Sequence, residues 1–253
     1  MSSNRFFLSI PVLFLAACGG TTPVETKKEA AAPVAAVPSE DAASISGKVM
    51  FSGAKPVPKS VSMDATPACA KMHTTPPVSE EVVVNADGSL KNVFVYVKAG
   101  LPSGQSYAVP KESVKVDQNG CIYKPHVVGI LAGQDLEFLN SDDTNHNIHP
   151  LPRANREWNE SQPPKGEHKI KTFAKEELMM PVKCNVHPWM RLYINVVSHP
   201  FHAVTGDDGT FTLKGLPPGE YTIEALHEKF EALEIKVKVG PKEAGKAEFT
   251  FKG

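Results

Sequence analysis

Apolar and polar residues alternate with period two along much of the chain. The clearest runs are Leu136 and Phe138 between acidic residues, and Leu233, Ile235, Val237 and Val239. Ile45-Ser-Gly47-Lys-Val49-Met-Phe51, Asn92-Val93-Phe-Val95-Tyr-Val97 and the terminal Phe249 and Phe251 repeat the pattern. Period two predicts half-buried strands. Turn residues separate them, Asp208-Gly209 and Pro217-Pro218-Gly219 among others, so the 203–225 stretch reads as antiparallel strands of a sandwich. The fold class expected is all-β.

The longest helical-looking run stands apart, at the start. Arg5 precedes twelve mostly apolar residues, Phe6 to Ala17, followed by Cys18-Gly19-Gly20. A basic end, a short apolar core and small residues before the cut make residues 1–17 a secretory signal, too short to span a bilayer. Leu15-Ala16-Ala17-Cys18 resembles a bacterial lipobox, which implies cleavage before Cys18 and a lipid on its thiol. Residues 18–44 hold no aromatic residue and are rich in Ala and Pro, so they are expected to be a flexible tether. The address implied is the periplasm, with a lipid anchor in the membrane, and Gly19 leans toward the outer one.

Composition narrows the classes further. The chain has 253 residues, 41% hydrophobic and 22% charged, which is a globular composition. A net charge of -1 with no Lys/Arg block gives no footprint for nucleic acid. No apolar run reaches the 18 or so residues of a spanning helix. No phosphate loop, Ser-His-Asp grouping or paired-carboxylate motif stands out, so a hydrolase is not expected.

Beyond Cys18 the cysteines number three, and an exported protein favours disulfides. Cys69 and Cys121 lie in polar loop contexts and are expected to pair. Cys184 sits in different company: Cys184-Asn-Val-His187-Pro-Trp189-Met190 is Cys-x2-His-x2-Met. A thiolate, an imidazole and a thioether within seven residues lack one histidine of the His2Cys-plus-Met set of electron-transfer copper sites. His146 is the candidate, at the end of the Asn140-Ser-Asp-Asp-Thr-Asn loop that follows the Leu136 strand. Zinc takes Met rarely, and a purely structural thiol is the plainest alternative. His126, His199 and His202 read as loop or surface residues, and His149 as a surface one.

Cys184 through Arg191 resembles the ligand loop of amicyanin-like cupredoxins, and Asn140 to His149 resembles the other half of that site. The resemblance covers about residues 111–198 and implies a Greek-key β-sandwich. It implies His146, Cys184 and His187 as equatorial copper ligands, Met190 as the axial one, and Asn147 as the tie between the two ligand loops. Trp189, between two ligands, is expected to shield the site. Two departures are the missing aromatic residues before Cys184 and Leu192 in place of a Gly. Separately, the Gly209-to-Tyr221 run resembles carboxypeptidase regulatory-like, prealbumin-type domains. The expected plan is a sandwich made of 45–110 and 199–253 with the cupredoxin, 111–198, inserted; a single enlarged cupredoxin with an appendage is the alternative.

One copper ion cycling between Cu(I) and Cu(II) with every position filled by protein implies a one-electron carrier and no enzyme. Its partners are expected to be periplasmic redox proteins, by resemblance a dehydrogenase or a c-type cytochrome. Copper storage, delivery or sensing is the second reading, and a binding module with a structural metal the third.

Overall fold

The structure is a computed structural model and describes residues 40–253. The signal 1–17, Cys18 and most of the 18–44 tether lie outside the described residues. Among the described residues the elements are β1 (Ala43–Ser52), α1 (Pro67–Ala70), β2 (Phe94–Ala99), β3 (Val114–Gln118), β4 (Tyr123–Lys124), β5 (Val127–Leu131), β6 (Leu136–Asn140), β7 (His146–Pro150), β8 (Glu160–Gln162), β9 (Lys169–Lys171), β10 (Glu177–Lys183), β11 (Arg191–Val197), β12 (His202–Val204), β13 (Thr210–Leu216), β14 (Gly219–Leu226), β15 (Leu233–Val239), β16 (Ala244–Lys246) and β17 (Phe249–Lys252). The chain is all-β. No helix among these residues is long and apolar enough to cross a membrane.

The strands form two sandwiches. In the first, a sheet ordered β13-β1-β16, with β17 also on β1, faces a sheet ordered β12-β2-β14-β15. Their inward positions share one core that includes Ile45, Val95, Phe211, Leu213, Ile223 and Phe251. Alternation decides which residues enter it: β13 points Phe211 and Leu213 inward and leaves Thr210, Thr212 and Lys214 exposed. Gly47 sits where β1 crosses the closing segment; a Cβ there would lie 1.6 Å from the Ala247 carbonyl oxygen. Strand pairing reaches back to Ala43, opposite Leu216, two residues inside the stretch expected to be tether. Ala43 is buried in that core.

In the second sandwich, a sheet ordered β5-β11-β10-β7-β8 faces one ordered β4-β3-β6-β9. Their core includes Val116, Phe138, Ile148, Val182, Leu192 and Ile194. Met63 and Cys69 belong to this core as well. A first sandwich built from 45–110 would include the stretch around α1; that stretch packs instead on the second, fastened by a disulfide described below.

The sandwiches meet along β2, whose four successive residues Phe94 to Val97 are all buried. Val95 and Val97 enter the first core, while Phe94 and Tyr96 turn the other way and pack with Val127 and Val197 of β5 and β11. A strand covered on both faces reads as a continuous apolar run. Gly129 of β5 lets this seam close, since a Cβ would meet the Phe94 ring at 2.6 Å and His202 Nδ1 at 2.5 Å.

Candidate metal centre

Strands β7 and β10 are antiparallel neighbours, with Lys183 opposite His149 and Val182 opposite Pro150. The start of β7 and the end of β10 therefore lie at the same end of the second sandwich. His146 opens β7 and Cys184 follows β10. The turn from β10 into β11 then brings His187 and Met190 back to that end. Within the turn, the His187 N–H points at Cys184 Sγ, 3.4 Å away, and the Met190 N–H donates to the His187 carbonyl at 3.0 Å. Asn147 joins the two loops: its Oδ1 accepts the Asn185 N–H at 2.5 Å, and its own N–H points at Cys184 Sγ at 3.5 Å.

Three donor atoms converge. His146 Nδ1 and His187 Nδ1 are 2.9 Å apart, and Cys184 Sγ lies 3.8 Å from His187 Nδ1. All three side chains are buried, with exposures of 0, 2 and 0% for His146, Cys184 and His187. Bonds of about 2.0 Å to nitrogen and 2.3 Å to sulfur place one ion among donors spaced like this. Met190, which carries the thioether, is buried in the same core. One thiol, two imidazoles and a thioether are soft and borderline donors, the chemistry copper takes. The residues fit the metal.

Electrostatics favour the ligating form of two of the three donors, Cys184 and His187. Burial opposes a charge on Cys184, but hydrogen bonding with His146 and the backbone N–H groups of Asn147, His187 and Val186 outweighs it, so the thiol ionises below its ordinary value. Burial, with His146 alongside, holds His187 down to about 4, so its imidazole is neutral. Burial also opposes charge on His146, yet hydrogen bonds with Asp142 and Cys184 raise it overall. A thiolate and a neutral imidazole are the forms that ligate.

Asp142 is the residue that sequence reasoning missed. Its Oδ2 meets His146 Nε2 at 2.8 Å, which fixes the ring and leaves Nδ1 for the site. The same carboxylate accepts the N–H groups of Gly120 and Cys121 at 2.6 and 2.7 Å. Its position four residues before His146 in a polar loop was the one available signal. Tyr123 was missed too; its hydroxyl donates to the Asn147 carbonyl at 2.6 Å.

Cys69 and Cys121 form a disulfide with Cα atoms 5.7 Å apart. It lies on the site: Cys69 Sγ is 3.4 Å from His187 Nε2, the ring edge that faces away from Cys184. Trp189 is half-buried beside His187, ring centroids 5.2 Å apart, and its Nε1–H donates to the Cys121 carbonyl at 3.0 Å. His149 stays outside the donor group and pairs with Glu157. His126 and His199 are buried rather than surface residues, the first against Glu228 and the second bonded to the Val97 carbonyl, because they fill the region where the sandwiches meet.

No family model and no curated protein matches the chain. Among solved structures, it is similar to a copper-containing nitrite reductase from Thermus scotoductus SA-01, at 22% identity and TM-score 0.33, over 40% of this chain and 26% of that one. It is similar to a purple cupredoxin from Nitrosopumilus maritimus, at 19% identity and TM-score 0.28, over 32% of this chain and 97% of that one. A Cu(I) amicyanin variant matches at 18% identity and TM-score 0.30, over 40% of this chain and 97% of that one. These proteins are what the chain is similar to; the chemistry of its own centre rests on its own donor atoms.

Proposed function

We propose that the protein is a one-electron carrier built on a type 1 copper centre of the cupredoxin kind, held by His146, Cys184, His187 and Met190. The convergence of three buried donors, two imidazole Nδ1 atoms and one thiol, carries this reading. Copper so held supplies a Cu(II)/Cu(I) couple. The chain's own part is to keep the donors fixed. Asp142 holds His146, Asn147 ties the β7 loop to the Cys184 turn, and the surrounding core keeps bulk water away. A donor set that does not rearrange between oxidation states keeps reorganisation small, which is what a carrier requires. The reading assigns no bond-making step, so no enzyme activity.

The wider reading puts the protein in the periplasm on a Cys18 lipid anchor, exchanging electrons with a dehydrogenase or a c-type cytochrome. It also takes the copper domain, 111–198, as an insertion in a prealbumin-like sandwich. The interleaving of the two cores along the chain supports an insertion, with Met63 and Cys69 from before residue 111 added to the second core. A redox titration of the copper-loaded chain tests the carrier reading: one electron per chain, taken up and returned without metal loss to a chelator. Rapid copper loss on reduction would instead favour delivery or storage.

A further inference from the structure

The His187 ring faces two donor sets. Its Nδ1 edge points toward His146 and Cys184, and its Nε2 edge toward Cys69. On that second edge, Cys69 Sγ, Cys121 Sγ and a ring nitrogen of His187 all lie within 4.8 Å of one another, and all three residues are buried. In the disulfide form the two sulfurs carry no thiolate and are poor ligands. In the dithiol form the same positions offer two soft thiolates and one imidazole, a set that suits Cu(I). The cluster is held ready by contacts that do not need the S–S bond. Cys121 is fixed by its N–H to Asp142 and its carbonyl to the Trp189 indole, and Cys69 by α1, where its N–H donates to the Thr66 carbonyl at 2.9 Å.

We propose that reduced Cys69 and Cys121, with His187 Nε2, form a second copper site that exists only in the dithiol state and serves as the entry station for Cu(I). A dithiol reductant delivers two electrons and two protons to the S–S bond, leaving two thiols and itself becoming a disulfide. Binding of Cu(I) displaces the two thiol protons. When a disulfide-forming oxidant of the exported compartment later removes two electrons, the S–S bond re-forms. Both ligands are lost, and the cation is released against the imidazole whose other edge belongs to the Cys184 site. Burial keeps both sulfurs from reagents in the closed state, so exchange proceeds through opening of the segment around α1, most of which is unpaired loop.

The test uses the Cys184→Ser chain, in which the first site lacks its thiolate, so the result does not depend on the carrier reading. Anaerobic competition with a Cu(I) chelator is run on the disulfide form and on the form reduced and freed of reductant, with alkylation counting the new thiols. The expected result is one Cu(I) per chain, bound at least about 100-fold more tightly after reduction. Adding His187→Gln should remove most of that gain, because one of the three proposed ligands is lost. X-ray absorption should show two sulfur neighbours and a nitrogen. No gain with two thiols counted, an equal gain in the His187→Gln chain, or loss of the β-sheet circular dichroism on reduction would each overturn the proposal.

Discussion

Asp142 shows how one carboxylate can govern a site it does not ligate. It holds His146 Nε2 and, through two backbone N–H groups, the Gly120-Cys121 turn that carries the disulfide. Asp142→Asn should keep the fold and lower copper affinity by about 10–100-fold, read by chelator competition; unchanged affinity would mean that the ring needs no such partner. Asn147→Ala removes the clamp between the ligand loops and leaves the Asn185 N–H without its partner. The expected cost is about 1–3 kcal/mol of metal-free stability by urea unfolding. At this scale the sequence is legible where ligands are close together. Cys184, His187 and Met190 announce themselves by spacing, whereas Asp142 is one acidic residue among several in a polar loop. The disulfide's place against His187 is a contact between residues 118 positions apart, which no local pattern encodes.

The strands were readable because alternation persists wherever one face is wet and one dry. β6, β13 and β15 follow that rule; β2 does not, because both of its faces are covered. The stretch around α1 has neither alternation nor helical period, and its assignment to the second core is fixed by Met63 and Cys69, with Val61 and Ala70 packed beside them. Gly47 is a stricter case, since β1 admits no side chain where it passes Ala247. Gly47→Ala should lower stability by about 1–3 kcal/mol, measured as a reduced denaturant midpoint with unchanged slope. A neutral result would show that β1 can shift away from its neighbour at no cost.

Across the whole molecule, buried histidines set the response to pH. Burial lowers His202 to about 4, and burial, opposed by Glu228, lowers His227 to about 4. In the unfolded chain both regain the ordinary histidine value of about 6.5. Between those values the unfolded state binds more protons, so stability rises with pH across that window and is lost as pH falls from 6.5 toward 4. His146, whose value is raised, works the other way, but burial lowers His187 and His199 too, so it is one group against four. The melting temperature of the metal-free chain should fall steadily from pH 7 to pH 4.5, with His202 and His227 each contributing at most about 1.4 kcal/mol per pH unit. A flat profile would mean that water reaches these rings. His202 also lies at the seam between the sandwiches, so acid should loosen the region where β2 and β5 meet.

His146, Cys184 and His187 are proposed as ligands of one copper ion, and the whole carrier reading follows from that. The most direct measurement is the visible absorption spectrum of the Cu(II)-loaded chain beside its Cys184→Ser variant. An intense thiolate-to-copper band is expected in the first and none in the second, with both chains folded. A pale protein, or a band that survives the loss of Cys184, would contradict it.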